Sequence, residues 1–155
     1  MLKSVRTTGA RSSDGCFAIV ASRYNAKYVD AMLRAAKSEL KRAGVKSIKV
    51  VRVPGAFEIP AVAARLSALD SQPSAILCLG VIFQGQTSHA QHIGWGVTHA
   101  LAQIQVQHKL PVIHGVFVFE KEEHAKVRCL GRKHNRGREA AQTALAMAHV
   151  MEGLA

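Results

Sequence analysis

The run Ala75–Phe83, AILCLGVIF, carries no charged, amide or hydroxyl side chain. A strand with one wet face alternates apolar and polar residues. A run of strand length that is apolar throughout fits a strand covered on both faces, as in a parallel sheet with helices above and below. The flanking sequence supplies those helices. N-terminal to the run lie two further strand patterns, Cys16–Ser22 (CFAIVAS) and the β-branched Ser47–Val53 (SIKVVRV). Between them, Val29, Met32, Leu33, Ala36 and Leu40 recur at three- and four-residue spacing, which predicts a helix over about Lys27–Ala43 closed by Gly44. Pro54-Gly55 breaks the second strand. A helix is predicted from about Phe57 to Leu69, with Pro60 admissible because it lies in the first turn.

C-terminal to the run, a long helix is predicted over about Ser88–His108, then a fourth strand, Pro111–Phe119 (PVIHGVFVF). Helices over about Lys121–Leu130 and Asn135–Met151 follow, joined by a basic kink. Strands alternating with helices predict a three-layer α/β/α domain: a four-stranded parallel sheet with helices on both faces. One such domain is expected over residues 15–155, preceded by a flexible basic arm over residues 1–14.

A length of 155 residues suits one hydrophobic core. The net charge of +11 allows two readings, a nucleic-acid binder or a protein that attracts small anionic substrates. Part of the charge is concentrated in Arg128, Arg132, Lys133, Arg136 and Arg138, with no acid among them. Aromatic residues make up only 5%, so stacking platforms for single strands are scarce, and no helix-turn-helix or RNA-binding signature is present. Nucleic acid is therefore not an expected partner. No apolar run approaches membrane-span length, and the N-terminal MLKSVRTTGARSSDG lacks the apolar segment of a secretion signal. A cytoplasmic location is expected. Cys16, Cys78 and Cys129 are far apart with no Cys-x-x-Cys pair, which disfavours a structural zinc site. Cys16 and Cys78 read as core thiols of a reducing compartment.

In open parallel sheets, ligands bind beyond the carboxyl ends of the strands. Three unusual segments fall at those ends: Ser22–Asn25 (SRYN), Gly55–Glu58 (GAFE) and Gly85–His89 (GQTSH). In the last, Gly85 permits close backbone approach and Thr87-Ser88 can cap the following helix, whose free N–H groups favour an anion. A plain capped helix start and an anion cradle both remain open on these residues. His89 suits proton transfer near neutral pH. A metal pair with His92 lacks a third ligand of recognisable spacing, and His92, His99 and His108 read as surface or packing residues. Glu58 either complements a helix dipole or serves a site, Phe57 either packs in the core or faces a ligand, and Tyr24 either stacks on a flat ligand or packs on a helix. Arg128, ending a short helix before an irregular turn, is placed to offer a bidentate guanidinium to phosphate.

Taken together and in this order, SRYN, VPGAFEIP, LGVIFQGQTSH and RCLGRKHNRG resemble the lumazine synthase family of riboflavin biosynthesis, over Cys16 to Met151. The resemblance implies a flavodoxin-like fold and a homo-oligomer built on pentamers, with decamers or 60-subunit shells as larger possibilities and active sites between subunits. It implies condensation of 5-amino-6-(D-ribitylamino)uracil with 3,4-dihydroxy-2-butanone 4-phosphate, without cofactor or metal and with only small-molecule partners beyond other copies of the chain. Carried over by position, Tyr24 matches the residue stacking on the pyrimidine ring, with Asn25 beside it. Ala56, Phe57 and Glu58 match the segment holding the ribityl chain, and Val81 and Ile82 the strand end lining the ring pocket. Gly85, Gln86 and Thr87 match the phosphate loop, His89 the acid/base, and Arg128 the phosphate-binding arginine of the adjoining subunit. His114 falls where an aromatic residue covers the ring from that neighbour, and Arg136 and Glu139 fall where the family has a basic and an acidic residue near the pocket. Gln84, Gln86 and His114 depart from the family's usual Arg or Lys, Glu and Phe. A paralogue that retains flavin or lumazine without turnover is the alternative reading, suggested by His114 and Gln84.

Overall fold

The computed structural model describes residues 15–155, so the expected N-terminal arm lies outside the described residues. The four strands are β1 (Cys16–Ser22), β2 (Ser47–Val53), β3 (Ala75–Phe83) and β4 (Val112–Phe119). They form one sheet in the order β2-β1-β3-β4, with every neighbouring pair parallel. β3 is interior and buried over Ala75–Val81, as its unbroken apolar run requires. Helices α1 (Ala26–Arg42) and α5 (Arg136–Gly153) cover one face, and α2 (Ile59–Ser67) and α3 (His89–His108) the other.

The period-two geometry of a strand divides each strand's side chains between two cores. Phe17, Ile19 and Ala21 of β1, with Leu77 and Leu79 of β3, meet Val29, Met32, Ala36 and Leu40 of α1 and the alanine stripe of α5. Ala18, Val20, Ile76 and Cys78 meet Ile59 and Ala63 of α2 and Val97 and Leu101 of α3. α1 and α5 approach closely because Gly137 lies directly on the backbone of Met32, where a Cβ would collide with it. Cys78 is fully buried, as expected, whereas Cys16 is only half-buried.

Gly44, at φ 93°, ends α1 in the left-handed region that glycine enters without steric cost. The segment expected as one helix from Phe57 to Leu69 begins instead as a 3₁₀ turn, Ala56–Glu58, before α2. The segment expected as one helix over Lys121–Leu130 is a single α turn, α4 (Glu122–Ala125), running into a wide π turn, Lys126–Leu130. Buried Asn135 holds the next junction. Its Oδ1 accepts from Gly137 N (2.9 Å) and Arg138 N (3.3 Å), capping α5, while its Nδ2 donates to the Cys129 carbonyl at 2.8 Å. No helix of the described residues is long and apolar enough to cross a membrane.

Candidate active site

The carboxyl ends of β1, β2 and β3 open onto a cavity of about 710 Å³. Its walls combine the β1–α1 turn (Tyr24, Asn25), the 3₁₀ turn after β2 (Ala56, Phe57, Glu58), the end of β3 (Val81, Ile82) and the first turn of α3 (His89). Each of the three segments expected at this sheet edge contributes to it, the third through His89, while Gly85, Gln86 and Thr87 lie outside the cavity lining.

Tyr24 and Phe57 are 66% and 64% exposed. Neither ring is buried in the core; the Phe57 ring edge lies beside Gly96 of α3, and both rings keep most of their surface open to the cavity side. Asn25 holds φ 59°, and its Nδ2 donates to the Val81 carbonyl at 2.7 Å. That bond ties the β1 turn to the end of β3. Glu58 Oε2 accepts the Gly55 N–H at 3.0 Å, and Glu58 N–H donates to the Gly55 carbonyl at 3.2 Å, which holds the carboxylate against the wall.

The loop Gly85–Thr87 runs between two wall residues, Phe83 and His89, and is exposed along its length. A Cβ on Gly85 would meet nothing within 4 Å, so open space lies before that backbone. The expected side-chain cap at Thr87-Ser88 is weak. Ser88 stands at the N-cap position without a side-chain hydrogen bond, and Thr87 Oγ1 accepts the His89 N–H only at 3.4 Å. The first-turn N–H groups of α3 are thus left largely unsatisfied by side chains, with no acidic residue in that turn.

His92 also lines the cavity, one helical turn beyond His89. It is exposed, as expected of a surface residue, and faces the cavity as well. The three-residue spacing, which puts both imidazoles on one side of α3, was the available signal.

The remaining expected site residues lie elsewhere on the chain. Arg128, half-buried on the π turn, lines a separate concavity of about 370 Å³ with His124, Phe117 and Arg136. His114 lines another, of about 350 Å³, with Phe117, Arg136 and Glu139. Arg136 is common to both. It pairs with Glu139 at 2.7 Å and lies 6.0 Å from the centre of the Phe117 ring. None of His114, Arg128, Arg136 and Glu139 reaches the large cavity within one chain.

His114 is exposed on β4, yet both ring nitrogens are engaged: Nδ1 by the Val116 N–H at 3.3 Å and Nε2 by Thr98 Oγ1 at 2.7 Å. Desolvation where the ring folds back onto the protein lowers its pKa below the ordinary histidine value. Thr98 did not stand out in the sequence.

A family model described as 6,7-dimethyl-8-ribityllumazine synthase matches residues 14–152. The chain belongs to the 6,7-dimethyl-8-ribityllumazine synthase family. Among similar lumazine synthases, that of Stenotrophomonas maltophilia (strain R551-3) is 40% identical over 140 residues, covering 89% of this chain and 90% of the relative. That of Xanthomonas campestris pv. campestris (strain B100) is 39% identical over 150 residues, covering 96% and 94%. The four-stranded parallel sheet in the order β2-β1-β3-β4, flanked by helices, is consistent with that family.

Proposed function

We propose that the protein is a lumazine synthase. It condenses 5-amino-6-(D-ribitylamino)uracil with 3,4-dihydroxy-2-butanone 4-phosphate to 6,7-dimethyl-8-ribityllumazine, phosphate and water, the penultimate step of riboflavin biosynthesis. One observation carries the chemical reading. A single cavity at the sheet edge joins two exposed aromatic rings, a fixed carboxylate and an imidazole that opens onto an acid-free loop. Relatives named as synthases over nearly the whole chain favour the enzyme over a binding paralogue.

In this reading Tyr24 stacks on the pyrimidine, with Val81 and Ile82 as the floor of the ring pocket. Asn25 sets the turn that carries Tyr24. Phe57 covers the ribityl chain, and Ala56 and Glu58 hold its hydroxyls through backbone and carboxylate. Gly85, Gln86 and Thr87, with the free N–H groups of α3, receive the phosphate. The amine of the pyrimidine attacks the ketone to form an imine with loss of water. Phosphate then leaves, and the second nitrogen attacks the remaining carbonyl and closes the ring with loss of a second water. Each step moves a proton, and His89 is placed to carry it between substrate and solvent. Holding two substrates in one cavity supplies much of the remaining rate.

Arg128, His114, Arg136 and Glu139 belong to this scheme only across an interface, each completing the cavity of an adjoining copy. A pentamer is the proposed unit, consistent with exposed Trp95 and Val106 on α3, which leave apolar surface uncovered in one chain. Assembly into decamers or 60-subunit shells is compatible with it, as is a cytoplasmic location. No cofactor, metal, nucleic acid or membrane enters the reaction. Mixing the two substrates with the purified protein tests the proposal: lumazine absorbance should rise with one phosphate released per turnover. A correctly folded oligomer that binds the pyrimidine but forms no lumazine overturns it in favour of the binding paralogue.

A further inference from the structure

We infer that Thr98 is a positioning residue for the active site: with the Val116 N–H it clamps His114 in one orientation and one tautomer, so that the ring faces the neighbouring cavity as an uncharged aromatic plate. This deepens the proposed function and rests on its placement of His114 across the interface.

The geometry fixes where the proton sits. A backbone N–H can only donate, so the 3.3 Å contact from Val116 N requires an unprotonated Nδ1. In the neutral ring the proton is then on Nε2, which donates to Thr98 Oγ1 at 2.7 Å. A second proton would go onto Nδ1 and set two N–H groups against each other. The Val116 contact therefore opposes the second proton, and burial of the ring lowers the His114 pKa in the same direction.

Charges around the ring do not explain that preference. Across the concavity that His114 lines stand Arg136 and Glu139 of α5, already paired with each other at 2.7 Å. On the other side of Thr98, Glu120 lines a concavity with Trp95. A carboxylate there would favour the imidazolium, opposite in direction to the shift.

The consequence is chemical. Arg128 brings positive charge to the concavity next to that of His114, and the proposed site captures a phosphate there. An imidazolium at His114 would offer a competing anion site on the surface meant for the ring. Thr98 keeps His114 out of that competition, so an imidazole does the work of a hydrocarbon ring.

The test uses the intact oligomer labelled with ¹⁵N-histidine, with His114 resonances assigned by their loss in His114→Phe. The expected result is a predominant Nε2–H form with a titration midpoint below 6.5. Thr98→Val should mix the tautomers, and Thr98→Ser should restore the Nε2–H form. The dissociation constant of the pyrimidine substrate should weaken about three- to tenfold in Thr98→Val, the scale of one neutral hydrogen bond. It should recover in Thr98→Ser and be unchanged by Thr98→Val on a His114→Phe background. A wild-type ring that is Nδ1–H, or that titrates at or above the ordinary value, overturns the inference without any variant. So does equal weakening on the His114→Phe background. Lumazine formation by the same wild-type sample is scored separately: its absence sinks the proposed function and leaves the tautomer result to stand or fall by itself.

Discussion

Asn25 and Val81 are 56 positions apart in sequence, yet Asn25 Nδ2 lies 2.7 Å from the Val81 carbonyl. The bond is possible because Asn25 adopts φ 59°, a conformation asparagine tolerates better than most residues. One side chain thus sets both the start of α1 and the distance between two walls of the cavity.

Replacing Asn25 separates those two effects. Asn25→Ala should lose about 1 kcal/mol for the hydrogen bond and a further 1–2 kcal/mol for forcing alanine into the left-handed region. Asn25→Gly keeps the backbone and should lose mainly the first part. Chemical denaturation of the two variants checks the order, and equal losses would refute the backbone contribution.

His89→Ala should slow lumazine formation by about 10² or less while pyrimidine binding persists. A single general acid/base contributes on the order of 10² to 10⁴, and the low end suits a reaction in which proximity supplies much of the rate. Single-turnover absorbance is the measurement. An unchanged rate removes His89 from the mechanism and directs attention to His92, which lines the same cavity.

Arg128→Ala should raise the Michaelis constant of the phosphate substrate far more than that of the pyrimidine, by an amount equivalent to about 2–4 kcal/mol. Arg128 lies outside its own chain's large cavity, so the deficit should be repairable in trans. His89→Ala and Arg128→Ala chains, unfolded together and reassembled, should regain part of the activity. Mixed oligomers, verified by mass, that stay inactive would refute the shared site.

Folding stability should depend on His114 in a defined direction. Its pKa is lowered in the folded protein, so the unfolded chain binds the proton more readily as pH drops below 6.5. The stabilisation is complete above 6.5 and declines as pH falls through the lower folded value. His114→Phe should flatten that part of the profile. The comparison is denaturation of both proteins at pH 7.5 and 5.5, with the difference attributed to His114.

Asn135→Ala should be among the more damaging single changes. It removes the α5 cap, about 1 kcal/mol, and strands the Cys129 carbonyl, about 1–3 kcal/mol more. Asn135→Asp keeps the cap but loses the donor, and should fall between.

Much of this architecture is written in residue spacing. The apolar run Ala75–Phe83 has the length and pattern of a doubly covered strand, and the other strands and long helices follow from periods of two and of three to four. Convergence of SRYN, GAFE and GQTSH was legible for a related reason: parallel topology sends every strand's carboxyl end to one edge. The turn at Lys126–Leu130 was not legible, because nothing in its own residues marks a π turn and the side chain that bonds its Cys129 carbonyl, Asn135, lies beyond it in sequence. The pair Thr98–His114 was hidden too, since it joins a helix to an edge strand across 16 positions and neither residue is unusual where it stands. In the proposed shared site the distance from His89 to Arg128 is set by a second chain, which no pattern within one chain encodes.

The unequal burial of the three thiols makes the chain a ready-made substrate for single-site labelling. Burial pushes the Cys78 thiol up to about 12 and that of Cys129 up to about 11, leaving almost no reactive thiolate at neutral pH. Cys16 is only half-buried, and it begins the strand whose far end carries the cavity. At about 3.3 Å per residue, that is roughly 20 Å from the chemistry. A maleimide dye should therefore modify one position per chain without engineering and without touching the catalytic edge. Mixing donor- and acceptor-labelled chains would then report subunit exchange in real time, in the same cuvette in which turnover is followed.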